Sequence, residues 1–180
     1  MTQISREMLS KFTLICLAMF LTGCAGLDAQ RMVPNVSTTE TTFKTGQSIN
    51  KIEIRGEREE VFGGPAFAKK DQIFSAAKTA LIESNFFDSV DESQGDLTLY
   101  IVVRSQEQDV SLFLEYKAIT TISYRFENSK KEVVWFKSLE TEFSSHAFSG
   151  ATRTAEAREG SVRENLSALI DGIQSSWGKE

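Results

Sequence analysis

The sequence predicts an α+β two-layer sandwich over residues 49–180, in which two helices cover one face of a four-stranded, mainly antiparallel sheet. Three observations predict it. Four stretches alternate apolar and polar residues with a period of two, the mark of a half-buried strand. Two others repeat apolar residues at helical spacing. Along the chain these elements fall in the order β-α-β-β-β-α, with no internal repeat.

The first element is Ile49 to Arg55, where Ile52 and Ile54 alternate with Glu53 and Arg55. A polar loop from Gly56 to Gly64 ends in Gly63-Gly64-Pro65 and reads as a turn setting up the next helix. That Gly-Gly pair lacks the flanking residues of a phosphate-binding loop. The helix opens at Pro65 or Asp71 and runs to about Ser84, with Ile73, Ala77, Ala80 and Leu81 on one face. Asn85 stops it, because asparagine tolerates the left-handed conformation. Phe86 and Phe87 then return to the core.

Three strands follow as an antiparallel meander. In the first, Leu97, Leu99, Ile101 and Val103 share a face. A connection spans Gln106 to Asp109. In the second, Leu112, Leu114, Tyr116, Ala118, Thr120, Ile122, Tyr124 and Phe126 face one way. A hairpin loop at Asn128-Ser129-Lys130-Lys131 leads to the third, where Val133, Trp135, Leu139 and Phe143 share a face. The closing helix, from about Thr154 to Trp177, carries the stripe Ala155, Val162, Leu166, Leu169, Ile170, Ile173 and Trp177. Glu159 and Arg163 fall four apart, at a spacing that pairs weakly on a wet face. Gly160 marks either close packing or a break in the helix, since glycine costs about 1 kcal/mol there relative to alanine.

The N-terminal stretch reads as an address. Arg6 and Lys11 precede the apolar run Phe12 to Leu21, ten residues long. A bilayer core needs roughly 20, whereas a secretory signal needs about this many. Leu21-Thr22-Gly23-Cys24 follows directly. This tetrapeptide resembles the lipobox of bacterial lipoproteins. The resemblance implies removal of residues 1–23 and lipidation of Cys24, with membrane attachment through that lipid. Several acyl chains on one residue anchor stably, at about 0.8 kcal/mol per buried methylene. The alternatives are an ordinary signal peptide cut nearby and an uncleaved anchor. In such lipoproteins the residue after the cysteine helps sort between membranes. Ala25, in place of aspartate, implies the periplasmic face of the outer membrane rather than the inner membrane. Residues 24–48, polar and rich in Ser and Thr, read as the lipidated end and a flexible tether. Such a tether spans on the order of 25–30 Å.

Cysteine use agrees with an oxidising compartment. Of the two cysteines, Cys16 lies in the signal and Cys24 in the lipobox. Removing residues 1–23 takes Arg6, Lys11 and Glu7 from 20 basic and 25 acidic residues, which leaves 18 and 24 and a net charge of −6. With no basic block, nucleic-acid binding is disfavoured, as is attachment to anionic headgroups.

No reaction centre is legible. The one histidine, His146, has no nucleophile motif to serve and reads as a solvated residue near a strand end. Glu140 and Glu142 read as polar positions on a sheet face. Asp88, Asp91, Glu92 and Asp96 form an acidic turn without metal-ligand spacing. No enzyme, no cofactor and no metal is expected. The sheet's open face is another matter. In this register Tyr100, Val102, Phe113, Ile119, Val134 and Phe136 fall on it, a candidate partner surface. Cover by the tether, or by the segment after Phe86, is the alternative. The strand holding Ile52 and Ile54 is a second candidate, since sheet edges invite strand addition.

The layout from residue 49 to 177 resembles small envelope lipoproteins of Gram-negative bacteria. It is carried by the helix end Ala80-Leu81-Ile82-Glu83-Ser84-Asn85-Phe86, the strand Leu97 to Val103, the aromatic strand Val133-Val134-Trp135-Phe136 and the closing helix. The YajG-type lipoproteins, the PqiC-like auxiliary lipoproteins of envelope lipid transport and the lipopolysaccharide-assembly lipoprotein LptE are similar in this sense. The resemblance implies a non-enzymatic module that binds an envelope protein in outer-membrane biogenesis or transport. The alternative is an auxiliary component that handles lipid or glycolipid.

Overall fold

The computed structural model describes residues 26–35, 44–62, 67–90, 95–110 and 115–177. It is an α+β sandwich of two helices and one mixed sheet. The strands are β1 (Ser48–Gly56), β2 (Ser89–Val90), β3 (Leu97–Val110), β4 (Tyr116–Asn128) and β5 (Val133–Ser145), in the spatial order β2-β1-β3-β4-β5. The helices are α1 (Lys70–Ser84) and α2 (Gly150–Trp177).

The sheet therefore has five strands rather than the four expected. The extra one, β2, is two residues long, too short to show a period, and pairs with Ser48 and Ile49 of β1. The order differs too. β1 lies parallel to β3, from Ile49 opposite Leu97 to Gly56 opposite Val103. Parallel neighbours need a crossover, and α1 supplies it. The meander β3-β4-β5 is antiparallel, as the alternation predicts. Gln106 to Asp109 is not a connection: β3 continues through it to Val110 and pairs with β4 as far as Tyr116. Charged and amide side chains there hid the strand from a reading by hydrophobicity.

Burial on β4 alternates as predicted, with Tyr116, Ala118, Thr120, Ile122, Tyr124 and Phe126 all inside. Leu99, Phe126 and Trp135 line up across three strands, and Phe126 stacks with Phe87 at 5.6 Å. Trp177 closes this end edge-on to both Phe87 and Phe126, at 5.9 and 5.4 Å. Val133 departs from its expected place. A bulge sets Val133 opposite Glu127 and Trp135 opposite Phe126, so Val133 is exposed while Trp135 is buried.

Helix α1 starts where Lys69 N–H donates to Gln72 Oε1 at 2.8 Å. It ends at Asn85, left-handed at φ 55° and ψ 22°, as expected. Helix α2 is continuous. Gly160 sits in it because Phe143 of β5 lies against the backbone: a Cβ there would fall 2.3 Å from the ring. Of the two readings of this glycine, close packing holds and the break does not.

A polar seam joins α2 to the sheet. Tyr124 OH donates to Asn165 Oδ1 at 2.9 Å, and Asn165 Nδ2 lies 3.0–3.1 Å from Thr120 O, Leu139 O and Thr141 Oγ1. Ser161 meets Thr120 Oγ1 at 2.7 Å and accepts from Thr141 Oγ1 through its carbonyl at 2.8 Å.

Part of the expected tether is docked on the domain. Residues 29–32 form a 3-10 turn whose Met32 is fully buried in the core, with Leu27 and Val33 packed beside it. This strap touches both helices, so residues 27–33 are not a free linker.

Candidate functional site

Both helices pack on one face of the sheet. Among the described residues no helix or strand covers the other. The register fixes what that open face presents. One cross-strand row runs Glu53, Tyr100, Arg125, Phe136. The next runs Arg55, Val102, Ser123, Ser138.

In the first row the Arg125 guanidinium lies over the Tyr100 ring, 4.7 Å from its centroid. Its Nε makes an ion pair with Glu127 Oε1 at 3.0 Å, in a geometry that is not a hydrogen bond. Phe136, on the far side of Arg125, is 57% exposed. Val133 and Val134, in and beside the bulge, are 53% and 40% exposed. In the second row Ser123 donates to Ser138 at 3.0 Å and accepts from Arg104 Nε at 3.0 Å, and Arg104 NH1 reaches Glu57 at 2.7 Å. The result is an aromatic and aliphatic patch with cations fixed inside it by carboxylates.

Of the residues expected on this face, Tyr100, Val102 and Phe136 come together, with Val134 beside them. Ile119 does not join them. It sits between Glu107 and Glu142, beyond the row of Ser105, Thr121 and Glu140. Phe113 lies outside the described residues, as do Cys24, Asp91 and Glu92. Val133 belongs to the patch although its period places it on one face with Trp135, because a bulge cannot be read from alternation alone.

The edge candidate is only partly an edge. Ile52 and Ile54 are buried, but beyond Ile49 no described strand pairs with the outer side of β1. A groove of about 600 Å³ runs there, lined by Ile52, Ile54 and Phe74 and rimmed by Lys51, Glu53, Lys70 and Asp71.

Two charged residues of α2 have partners other than each other. Glu159, expected on the wet side, is 3% exposed and belongs to the strap contact. Its Oε1 accepts Asp28 N–H at 2.7 Å and its Oε2 lies 3.7 Å from Arg31. Arg163 does not pair with it. It donates to Arg31 O at 3.3 Å and lies over the Phe143 ring at 5.1 Å. Gln72 completes the attachment by donating to Leu27 O. A polar groove of about 690 Å³ remains between strap and α2, with Phe143 and Glu156 in its wall. Arg158 is buried at the other end of the seam, where it donates to Gln108 and, at 2.6 Å, to Tyr116 OH. It braces the far ends of β3 and β4 against α2. Burial lowers its pKa, offset in part by Tyr116.

His146 is exposed just past the end of β5. Among the described residues no three His, Cys, Asp or Glu side chains converge as a metal site. None of the described helices is long and apolar enough to cross a membrane.

No protein-family model and no curated protein matches the chain. The fold does match solved structures. A Xanthomonas campestris protein assigned to the family model DUF330 superposes with a TM-score of 0.62 at 16% identity, over 82% of this chain and 92% of that one. A Caulobacter crescentus protein described as a lipoprotein gives a TM-score of 0.48 at 8% identity, over 73% and 92%. A minor lipoprotein from Acinetobacter baumannii gives 0.47 at 12%, over 71% and 90%. At 16% identity the likeness to the Xanthomonas protein is one of fold.

Proposed function

We propose that this chain is a lipid-anchored envelope lipoprotein, held by Cys24 at the periplasmic face of the outer membrane, whose domain binds a protein partner and catalyses no reaction. Leu21-Thr22-Gly23-Cys24 after a ten-residue apolar run supports the anchor, and Ala25 supports the destination. The observation that carries the binding role is the row Tyr100–Arg125–Phe136, with Val133 and Val134 beside it, over which no described helix or strand packs. Apolar side chains left in water around pre-placed charges are what a partner surface offers, since the apolar part supplies area and the charges select orientation.

The test is crosslinking in intact cells from photoreactive residues placed at Tyr100 and Phe136. A partner common to both positions, absent when the reactive residue is at Lys78 on α1, is the expected result. Recovery of nothing from either position overturns the open-face reading.

The groove beside β1 favours one second reading, a component that handles lipid or glycolipid in envelope transport. Ile52, Ile54 and Phe74 would take an acyl chain there, with Lys51 and Lys70 near its headgroup. Lipid that copurifies with the domain, and is lost from a Phe74→Asp variant of equal stability, would support it.

A further inference from the structure

The strap shortens the anchor. Leu27 is the first residue fixed on the domain, through its carbonyl to Gln72. Asp28 N–H on Glu159, Arg31 O on Arg163 and the fully buried Met32 hold the next residues. Cys24 is three residues before Leu27. Whatever their conformation, three residues reach at most about 10 Å. A free tether of two dozen residues would instead have spanned on the order of 25–30 Å.

The attachment point is also asymmetric. Gln72 is on α1 and Glu159 on α2, so the strap leaves the domain on the helical layer, opposite the open face. A helix with its side chains is about 10–12 Å across, and the sheet lies beyond it. Going round the sheet is no shorter. Neighbouring strands are about 4.8 Å apart, so reaching an edge from between the helices uses the whole leash before any step through the thickness.

We infer that the strap orients the domain: lipid on Cys24 holds the helical layer against the bilayer, and the face with Tyr100, Arg125 and Phe136 points away from it. The occupant of the helical side is the lipid surface itself. The open face is thereby kept from the membrane and offered to a partner in the periplasm. This rests on the anchoring proposed above.

The test uses the full chain, lipidated in cells and reconstituted in phosphatidylcholine vesicles carrying a nickel-chelating lipid. Once Cys24 bears lipid the mature chain has no other cysteine, so a single introduced one takes a spin label cleanly. Labels go at Gln30→Cys on the strap and Glu140→Cys on the open face, both exposed positions. Nickel at the membrane should relax the first label several-fold more strongly than the second. A flexible Gly-Ser insertion of about 20 residues between Gly26 and Leu27 adds reach without touching the strap's contacts, and should bring the two labels towards equal relaxation. Equal relaxation in the uninserted protein, with the lipid mass present on Cys24, overturns the orientation and leaves anchoring intact. Intact-mass measurement showing no lipid on Cys24 overturns both.

Discussion

At the scale of single residues, buried polar groups decide how α2 meets the sheet. Asn165 is completely buried and satisfied by four partners from β4 and β5. Replacing it with alanine strands Tyr124 OH and several acceptors, so Asn165→Ala should cost about 1–3 kcal/mol in urea unfolding. Tyr124 itself is fully buried, and desolvation pushes its pKa far above the ordinary 10.0. The sign follows from linkage. A group whose folded pKa is raised keeps its contribution below the unfolded pKa and loses it as pH rises beyond. The wild type should therefore lose stability above about pH 10, where the unfolded tyrosine ionises. Tyr124→Phe should lose less over the same rise, read as the shift in urea midpoint with pH.

Elements show where local preference yields to packing. Gly160 is a poor helix residue in the middle of a 28-residue helix. On propensity alone Gly160→Ala would stabilise by about 1 kcal/mol. The Cβ would sit 2.3 Å from the Phe143 ring, however, and overpacking of that kind costs about 1–3 kcal/mol. The expected outcome is net destabilisation in the wild type and net stabilisation when Phe143 is already alanine. A double-mutant cycle by chemical denaturation measures that reversal of sign. The strap is a second case. Its sequence has no sustained period, and one buried methionine holds it down together with polar contacts to Gln72, Glu159 and Arg163. Glu159→Ala should leave the global unfolding midpoint nearly unchanged relative to Met32→Ala, because the latter also empties core volume. It should nonetheless abolish amide-exchange protection at Asp28.

For the whole molecule, the two faces differ in what they hold. The helical layer holds the strap, and the open face holds an exposed patch at no evident benefit to stability. Phe136→Glu should therefore change the unfolding free energy by less than about 0.5 kcal/mol, the range of surface substitutions. It should still remove the crosslinked partner. A variant that unfolds instead would show Phe136 to be structural and would sink the binding role.

What the sequence determined by itself is whatever depends on period and neighbours. It specifies α1 with its stop at Asn85, the inward side chains of β4 and the antiparallel meander. Each follows from residues a few positions apart. Tertiary structure alone decided the rest, because those features depend on distant pairings. The parallel register of β1 on β3 and the two-residue β2 exist only as partners of other strands. The bulge that turns Val133 outward is a mismatch between two strands. Glu159 passes for a solvated helix residue until Asp28, 131 positions earlier, donates to it. Docking of a segment with no sustained period was invisible for the same reason: its one strong signal, Met32, is a single apolar residue, and only a prepared hollow in the core gives it meaning.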